Sequence, residues 1–387
     1  IALIFGLGAI LGKLLADGGG ATRIADTLIA KFGQKHVQWA MLIAAFIVGI
    51  ALFFEVGLVL LIPLVFTVAK RANVSILKLG LPMVTALSVT HGFLPPHPGP
   101  VVIAKELKAN IGEVLLYGMI IAIPVTLIAG PIFNRFAQKM VPTAYTREGD
   151  ISSLGTQKEF KEEEMPGFGI SLLTAILPVI LMLISTIVQL ITGHEEATNV
   201  FEQIVYFIGT AGTALLIAVI FAIFTMGMKQ QRKMEDIMKS VTHAIYPIGM
   251  MLLIIGGGGT FIQVLIDGGV GDTIAKMFEG TSMSPILLAW IVAAVLRISL
   301  GSATVAAVST TGIVLPLLEH SDVNVALVVL AIGAGSVILS HVNDAGFWMF
   351  KEYFGLTVKE TFLTWSLLET IISVSGILFI LFISLFV

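Results

Sequence analysis

The chain is 387 residues long, 57% hydrophobic and 12% charged, with a net charge of −3 and a mean hydropathy of +1.00. So little polar surface excludes a soluble protein of this size, and continuously apolar runs such as 170–191, 203–226 and 362–387 exclude an alternating β-barrel, leaving an all-α integral membrane protein. The lack of cysteine excludes disulfides, thiolate metal sites and thiol catalysis.

The first residue, Ile1, already lies inside an apolar run, so the natural N-terminus is expected upstream and no targeting signal is read here. The first motif met is Leu15-Ala16-Asp17-Gly18-Gly19, and it recurs as Leu265-Ile266-Asp267-Gly268-Gly269 at an offset of 250. The same offset pairs Gly6 and Gly8 with Gly256 and Gly258, Ile24-Ala25 with Ile274-Ala275, and Thr90-His91 with Ser340-His341. Chance matches scatter over many offsets, whereas duplicated halves share one, and many secondary transporters are built from two such halves.

Residues 37–69 are too long for one span and short for two, with the polar tip Phe53-Phe54-Glu55-Val56-Gly57 at their centre. Residues 284–318 repeat the pattern around Leu300-Gly301-Ser302-Ala303-Thr304. Two readings stay open for each: a re-entrant helical hairpin lining a wet cavity, or a pair of steeply tilted helices with a small turn. After each comes a segment expected to be a broken helix, 79–111 and 323–357. In the first, His91-Gly92-Phe93-Leu94-Pro95-Pro96-His97-Pro98-Gly99-Pro100 forbids a continuous helix. In the second, Ser340-His341-Val342-Asn343-Asp344-Ala345-Gly346 favours backbone released from one. Matched interruptions point to a transporter's binding site, where freed amides and helix N-termini face an anion. The expected organisation is a first repeat at 1–133, a solvated cytoplasmic loop at 134–169, linking or scaffold helices at 170–241, and a second repeat at 242–387. Five segments placed on the cytoplasmic side hold 17 of the 22 Lys and Arg residues, which gives the two halves opposite orientation.

The ionisable residues singled out in apolar surroundings are Glu55, His91, His97, Arg297, His341 and Asp344. Glu55 reads either as a protonatable carboxylate or as a capping or packing group. Asp344 is the stronger proton or cation candidate. Arg297 either attracts an anionic substrate or pairs with a structural carboxylate. The histidines either carry protons or brace the breaks, and the hydroxyls of Ser302, Thr304, Ser309, Thr310 and Thr311 either meet a polyol or cement helices. Gly256–Gly259 lack a following Lys-Ser/Thr and are read as packing or hinge glycines, and no hydrolase motif supports an enzyme.

The stretches from Leu11 to Ala21, Phe54 to Gly57, Thr90 to Pro100, Leu296 to Ala307 and Ser340 to Asp344 closely resemble the bacterial gluconate permease family, from Gly6 to the C-terminus. The resemblance implies a proton-coupled symporter of gluconate or a related sugar acid in the bacterial inner membrane. It further implies a homodimer working by elevator-type alternating access, with further hydrophobic sequence before Gly6. Read from the chemistry of the tips and breaks, substrate is expected at Gly57, His91, Gly92, Pro96, Arg297, Gly301, Ser302, Thr304, His341 and Asn343, and the coupling proton at Glu55 or Asp344. No cofactor beyond the proton and no nucleic-acid partner is expected. D-serine is the closest rival substrate class and sodium the rival coupling ion. A receptor would be expected to carry a signalling domain, and a channel needs a continuous pore that the paired interruptions disfavour.

Overall fold

Apolar helix-forming runs punctuated by Gly, Pro, Asn and Asp produce a chain whose regular structure is helical throughout the described residues. The computed structural model describes residues 2–33, 36–147, 149, 160–192, 197–245, 260, 264, 267–268, 284–318 and 321–387.

Helix α1 (Ala2–Asp17) turns sharply into α2 (Gly20–Phe32) through Gly18 and Gly19. Gly19 has φ 77°, and a Cβ on Gly18 would sit 2.6 Å from the Met226 carbonyl oxygen, so the repeated Asp-Gly-Gly is a tightly packed turn. In its copy, Gly268 N donates to Val264 O at 2.9 Å. Gly256–Gly259, Leu265, Ile266, Gly269, Ile274 and Ala275 lie outside the described residues.

Helices α3 (Val37–Ala51) and α4 (Phe54–Ala72) are separated by Leu52 and Phe53, both in extended backbone. Helix α5 (Ile76–Phe93) ends before the two-proline segment, whose Pro95–Pro96 peptide is cis, and α6 (Pro98–Glu106) restarts with proline at its first position. Helix α7 (Ile111–Leu127) continues through a π turn at Ile128–Ile132 into α8 (Phe133–Met140), giving one apolar span of 30 residues. From sequence the cytoplasmic loop begins at 134, but the helix runs on to Met140. Pro131 has no N–H to donate, and the wider turn around it lets the helix carry on instead of ending. The later part of that loop is docked rather than only solvated: Arg23 Nη2 and Nε donate to the carbonyls of Glu162 and Pro166 at 2.5 and 2.9 Å.

The linking region comprises α9 (Phe168–Thr192), α10 (Val200–Gly209), α11 (Ala211–Ala222) and α12 (Met234–Ile245). Beyond it, α13 (Pro285–Leu300) and α14 (Ala303–Leu318) flank Gly301-Ser302, and α15 (Val325–Gly335) and α16 (Ala345–Tyr353) flank the second interruption. The short α17 (Val358–Thr361) leads through a π turn at Phe362–Ser366 into α18 (Leu367–Ile383). Among the described residues, five helices are long and apolar enough to cross a membrane: Ile76–Phe93, Ile111–Met140, Phe168–Gln189, Ala211–Gln230 and Val358–Ile383.

The core is where the two interrupted helices meet. Residues 326–335 of α15 are all buried, as is most of α5. The two cross so closely at Gly92 and Gly333 that a Cβ on Gly333 would collide with the Gly92 carbonyl. Small residues allow this approach, the means by which membrane helices pack without a hydrophobic driving force.

Candidate functional site at the helix interruptions

Each helix tip meets the interruption that follows it in sequence. At the first, buried His97 places Nε2 2.6 Å from Gly49 O near the end of α3, and its ring lies 6.3 Å from that of Phe53 and 5.4 Å from that of His91. At the second, His341 Nε2 lies 3.1 Å from Ile298 O, and Asn343 Nδ2 donates to the same carbonyl at 2.9 Å. That carbonyl is left without an intrahelical donor by the end of α13, which the side chains of the break supply. Gly301 closes the helix with φ 76°, and its α-carbon approaches Asn343 so tightly that a Cβ would stand 2.7 Å from Asn343 Cγ.

Charge is concentrated at the second interruption. Arg297 is 4% exposed, and its Nη2 donates to Asp344 Oδ2 at 2.5 Å. The same carboxylate caps α16 by accepting from Gly346 N at 3.0 Å and also accepts from Ser340 Oγ. Ser340 is held in turn: its Oγ accepts from Trp365 Nε1 at 2.7 Å, and its carbonyl accepts from Ser366 Oγ. Of the two sequence readings of Arg297, the structure displays the pairing with a carboxylate. Its Nε and Nη1 are nevertheless buried with no hydrogen-bond partner among the described residues. Two open donors on a buried cation are an anion-binding capacity.

Other residues singled out from sequence divide by role. Glu55 falls in the first turn of α4. Gly57 packs where a Cβ would come 2.8 Å from Leu87 Cδ2, and Gly92 lies at the α5–α15 crossing. Pro96 lines a small cleft of about 10 Å³ with Gly8, Leu11, Phe53 and His97, far below the roughly 300 Å³ at which small-molecule pockets begin. Ser302 Oγ accepts from Val305 N at 3.4 Å, a weak cap, and Thr304 is half-buried in the first turn of α14. Thr310 and Thr311 donate within their own helix, to Ala306 O at 2.7 Å and Val308 O at 2.6 Å.

One acid was not singled out from sequence. Glu369, 2% exposed in α18, accepts from Ser88 Oγ of α5 at 2.9 Å. The available signal was a lone carboxylate inside an apolar span, masked by its position in a terminal helix without a break. No group of three or more His, Asp or Glu residues suited to a metal occurs among the described residues.

Comparison with known proteins follows the same lines. A profile of the GntP family permeases matches residues 1–386. The gluconate permease of Bacillus subtilis (strain 168) is 65% identical over 388 residues, 100% of this chain and 87% of that one. Two Escherichia coli (strain K12) proteins are also similar. A high-affinity gluconate transporter is 54% identical over 97% of this chain and 84% of its own, and the Gnt-II system L-idonate transporter is 50% identical over 98% and 85%. In fold, the chain resembles the crystal structure of the Alcanivorax borkumensis YdaH transporter, described as having an unusual topology. The TM-score is 0.68 at 15% identity, covering 98% of this chain and 85% of that one.

Proposed function

Since this chain belongs to the GntP family of membrane permeases, we propose that it imports gluconate, or a closely related sugar acid, together with protons. The observation that carries the reading is buried Arg297 beside the Gly301-Ser302 tip, paired with Asp344 and retaining two donor nitrogens without partners among the described residues. Gluconate brings one carboxylate and several hydroxyls. The guanidinium takes the carboxylate, and Ser302, Thr304, His341 and Asn343 supply polar contacts for the polyol around it. The substrate region further includes the first interruption, with His91, Gly92 and Pro96, and the tip at Gly57.

Coupling follows from electrostatics. A substrate carboxylate competes with Asp344 for Arg297, and a buried carboxylate losing its cation is costly unless it gains a proton. Anion and proton therefore favour each other's binding, with Asp344 and Glu55 as the acids. The repeats at 1–133 and 242–387 are read as inverted, their interrupted segments as re-entrant hairpins and broken helices, and the working unit as a homodimer moving by an elevator mechanism. The tip-to-interruption contacts in both halves support the pairing of each tip with its break.

The test is uptake of labelled gluconate into proteoliposomes with proton and sodium gradients imposed separately. Accumulation driven by the proton gradient alone is expected. Accumulation driven only by sodium, or D-serine outcompeting gluconate, would overturn the assignment. For topology, single cysteines beside Asp17 and Asp267 should label from opposite sides, in a chain with no cysteine of its own.

A further inference from the structure

Among the described residues, Glu369 is a carboxylate with no basic partner of its own. Its Oε2 accepts from Ser88 Oγ at 2.9 Å, and its Oε1 is buried with no hydrogen-bond partner among the described residues. It lies on a polar stripe of α18 and the turn before it. Ser366, Glu369 and Ser373 recur at helical spacing and reach, in order, the Ser340 carbonyl at the second interruption, Ser88 in α5, and Trp290 Nε1 in α13 at 2.9 Å. The stripe thus joins both interrupted helices to the helix that carries Arg297.

The charged and titratable groups on the elements packed against α18 are few. Residues 325–335, 128–132 and 362–366 have none. Helix α7 carries Glu113 and Tyr117 in its first two turns, and α5 carries Lys78 and His91 at its two ends. Asp344, capping α16, is linked to the stripe through Ser340, whose Oγ donates to it and whose carbonyl accepts from Ser366, and Arg297 in α13 is linked through Asp344. Asp344 already has two donors, Ser340 Oγ and Gly346 N, besides the guanidinium, so of the two acids it is the better satisfied as an anion. One guanidinium does not balance two ionised carboxylates.

We propose that Glu369 is an acid that takes the coupling proton, with the Ser88 hydroxyl as its positioning partner and the Arg297–Asp344 pair as the charged group it senses. A substrate anion entering beside Arg297 raises the proton affinity of a nearby carboxylate, and by linkage the proton on Glu369 raises affinity for the anion. The inference rests on the proton-coupled transport proposed above and moves the coupling proton from Asp344 or Glu55 to Glu369.

The experiment compares the wild type, Glu369→Gln, Glu369→Asp and Ser88→Ala in proteoliposomes, reading proton-driven gluconate accumulation, gluconate exchange at equal pH, and the pH dependence of gluconate affinity. Glu369→Gln should lose at least tenfold in accumulation, retain exchange and bind gluconate with little pH dependence, while Glu369→Asp keeps part of the coupling. Should Glu369→Gln fail to fold, Ser88→Ala decides: its pH midpoint should be displaced by about one unit, as expected when an ionised group loses a hydrogen bond. Wild-type coupling in Glu369→Gln, or an unmoved midpoint in Ser88→Ala, overturns the role of Glu369. A wild type that ignores the proton gradient overturns the transport reading instead.

Discussion

The two interruptions do one structural task with different chemistry. At residues 94–97 the chain is turned by prolines and braced by a neutral contact, His97 against the Gly49 carbonyl. At residues 336–344 no proline is present, and the break is held by the Arg297–Asp344 pair, the Ser340 bridge and two side chains on the Ile298 carbonyl. Ring constraint is permanent, whereas an ion pair is open to competition from another charge. On the repeat proposed above, the two breaks occupy equivalent places, and the one that carries the charge is the one open to competition.

Removing the charge should have the largest effect. Arg297→Ala leaves the half-buried Asp344 without its cation, which should cost about 3 kcal/mol, the low end for breaking a buried pair. Thermal unfolding of the purified protein in detergent measures this, and Arg297→Ala with Asp344→Asn should be more stable than Arg297→Ala alone because the orphaned charge is gone. A double variant no better than the single one would mean that the pair is not what holds this break.

Backbone geometry gives the next contrast. Gly301 at φ 76° closes the second tip, while Leu52 and Phe53 close the first in extended backbone that any residue adopts. Gly301→Ala adds a left-handed strain of about 1–2 kcal/mol and a collision with Asn343, so a loss of about 2–3 kcal/mol is expected by the same measurement. At the first break, His97→Ala should cost about 1–3 kcal/mol, since a buried carbonyl loses its partner. It should leave the pH dependence of uptake unchanged. A changed pH profile would make His97 part of the proton path and erase the distinction between the two breaks.

The interruptions were legible in sequence because Pro95-Pro96 and Asn343-Asp344-Ala345-Gly346 act locally, through missing donors and capping side chains. Gly18-Gly19 was legible for the same reason. What the sequence left open was partnership across distance. Arg297 and Asp344 are separated by 47 positions and Ser88 and Glu369 by 281, and nothing local marks either pair. Extension of the helix to Met140 was missed because Pro131 ordinarily ends a helix, and a π turn around it does not. Gly92, read as a site glycine, also lies at a crossing where Gly333 must lack a side chain, which no single-helix pattern reveals.

The smallest expected effect separates hydroxyls that face the site from those that tie a helix to itself. Ser302 makes only a long contact with Val305 N, and Thr304 is half-buried beside the tip, so both hydroxyls retain capacity for a polyol. Thr310, two turns further along α14, spends its hydroxyl on the Ala306 carbonyl and is fully buried. Ser302→Ala and Thr304→Ala should each weaken gluconate binding by about 0.5–1.5 kcal/mol, a several-fold loss of affinity, without lowering the unfolding temperature appreciably. Thr310→Ala should leave affinity unchanged. Equilibrium binding of labelled gluconate to the three variants decides the matter. Equal affinity across all three would move the polyol away from the Gly301-Ser302 tip and toward the first interruption, and would leave the second with only the anion's charge to recognise.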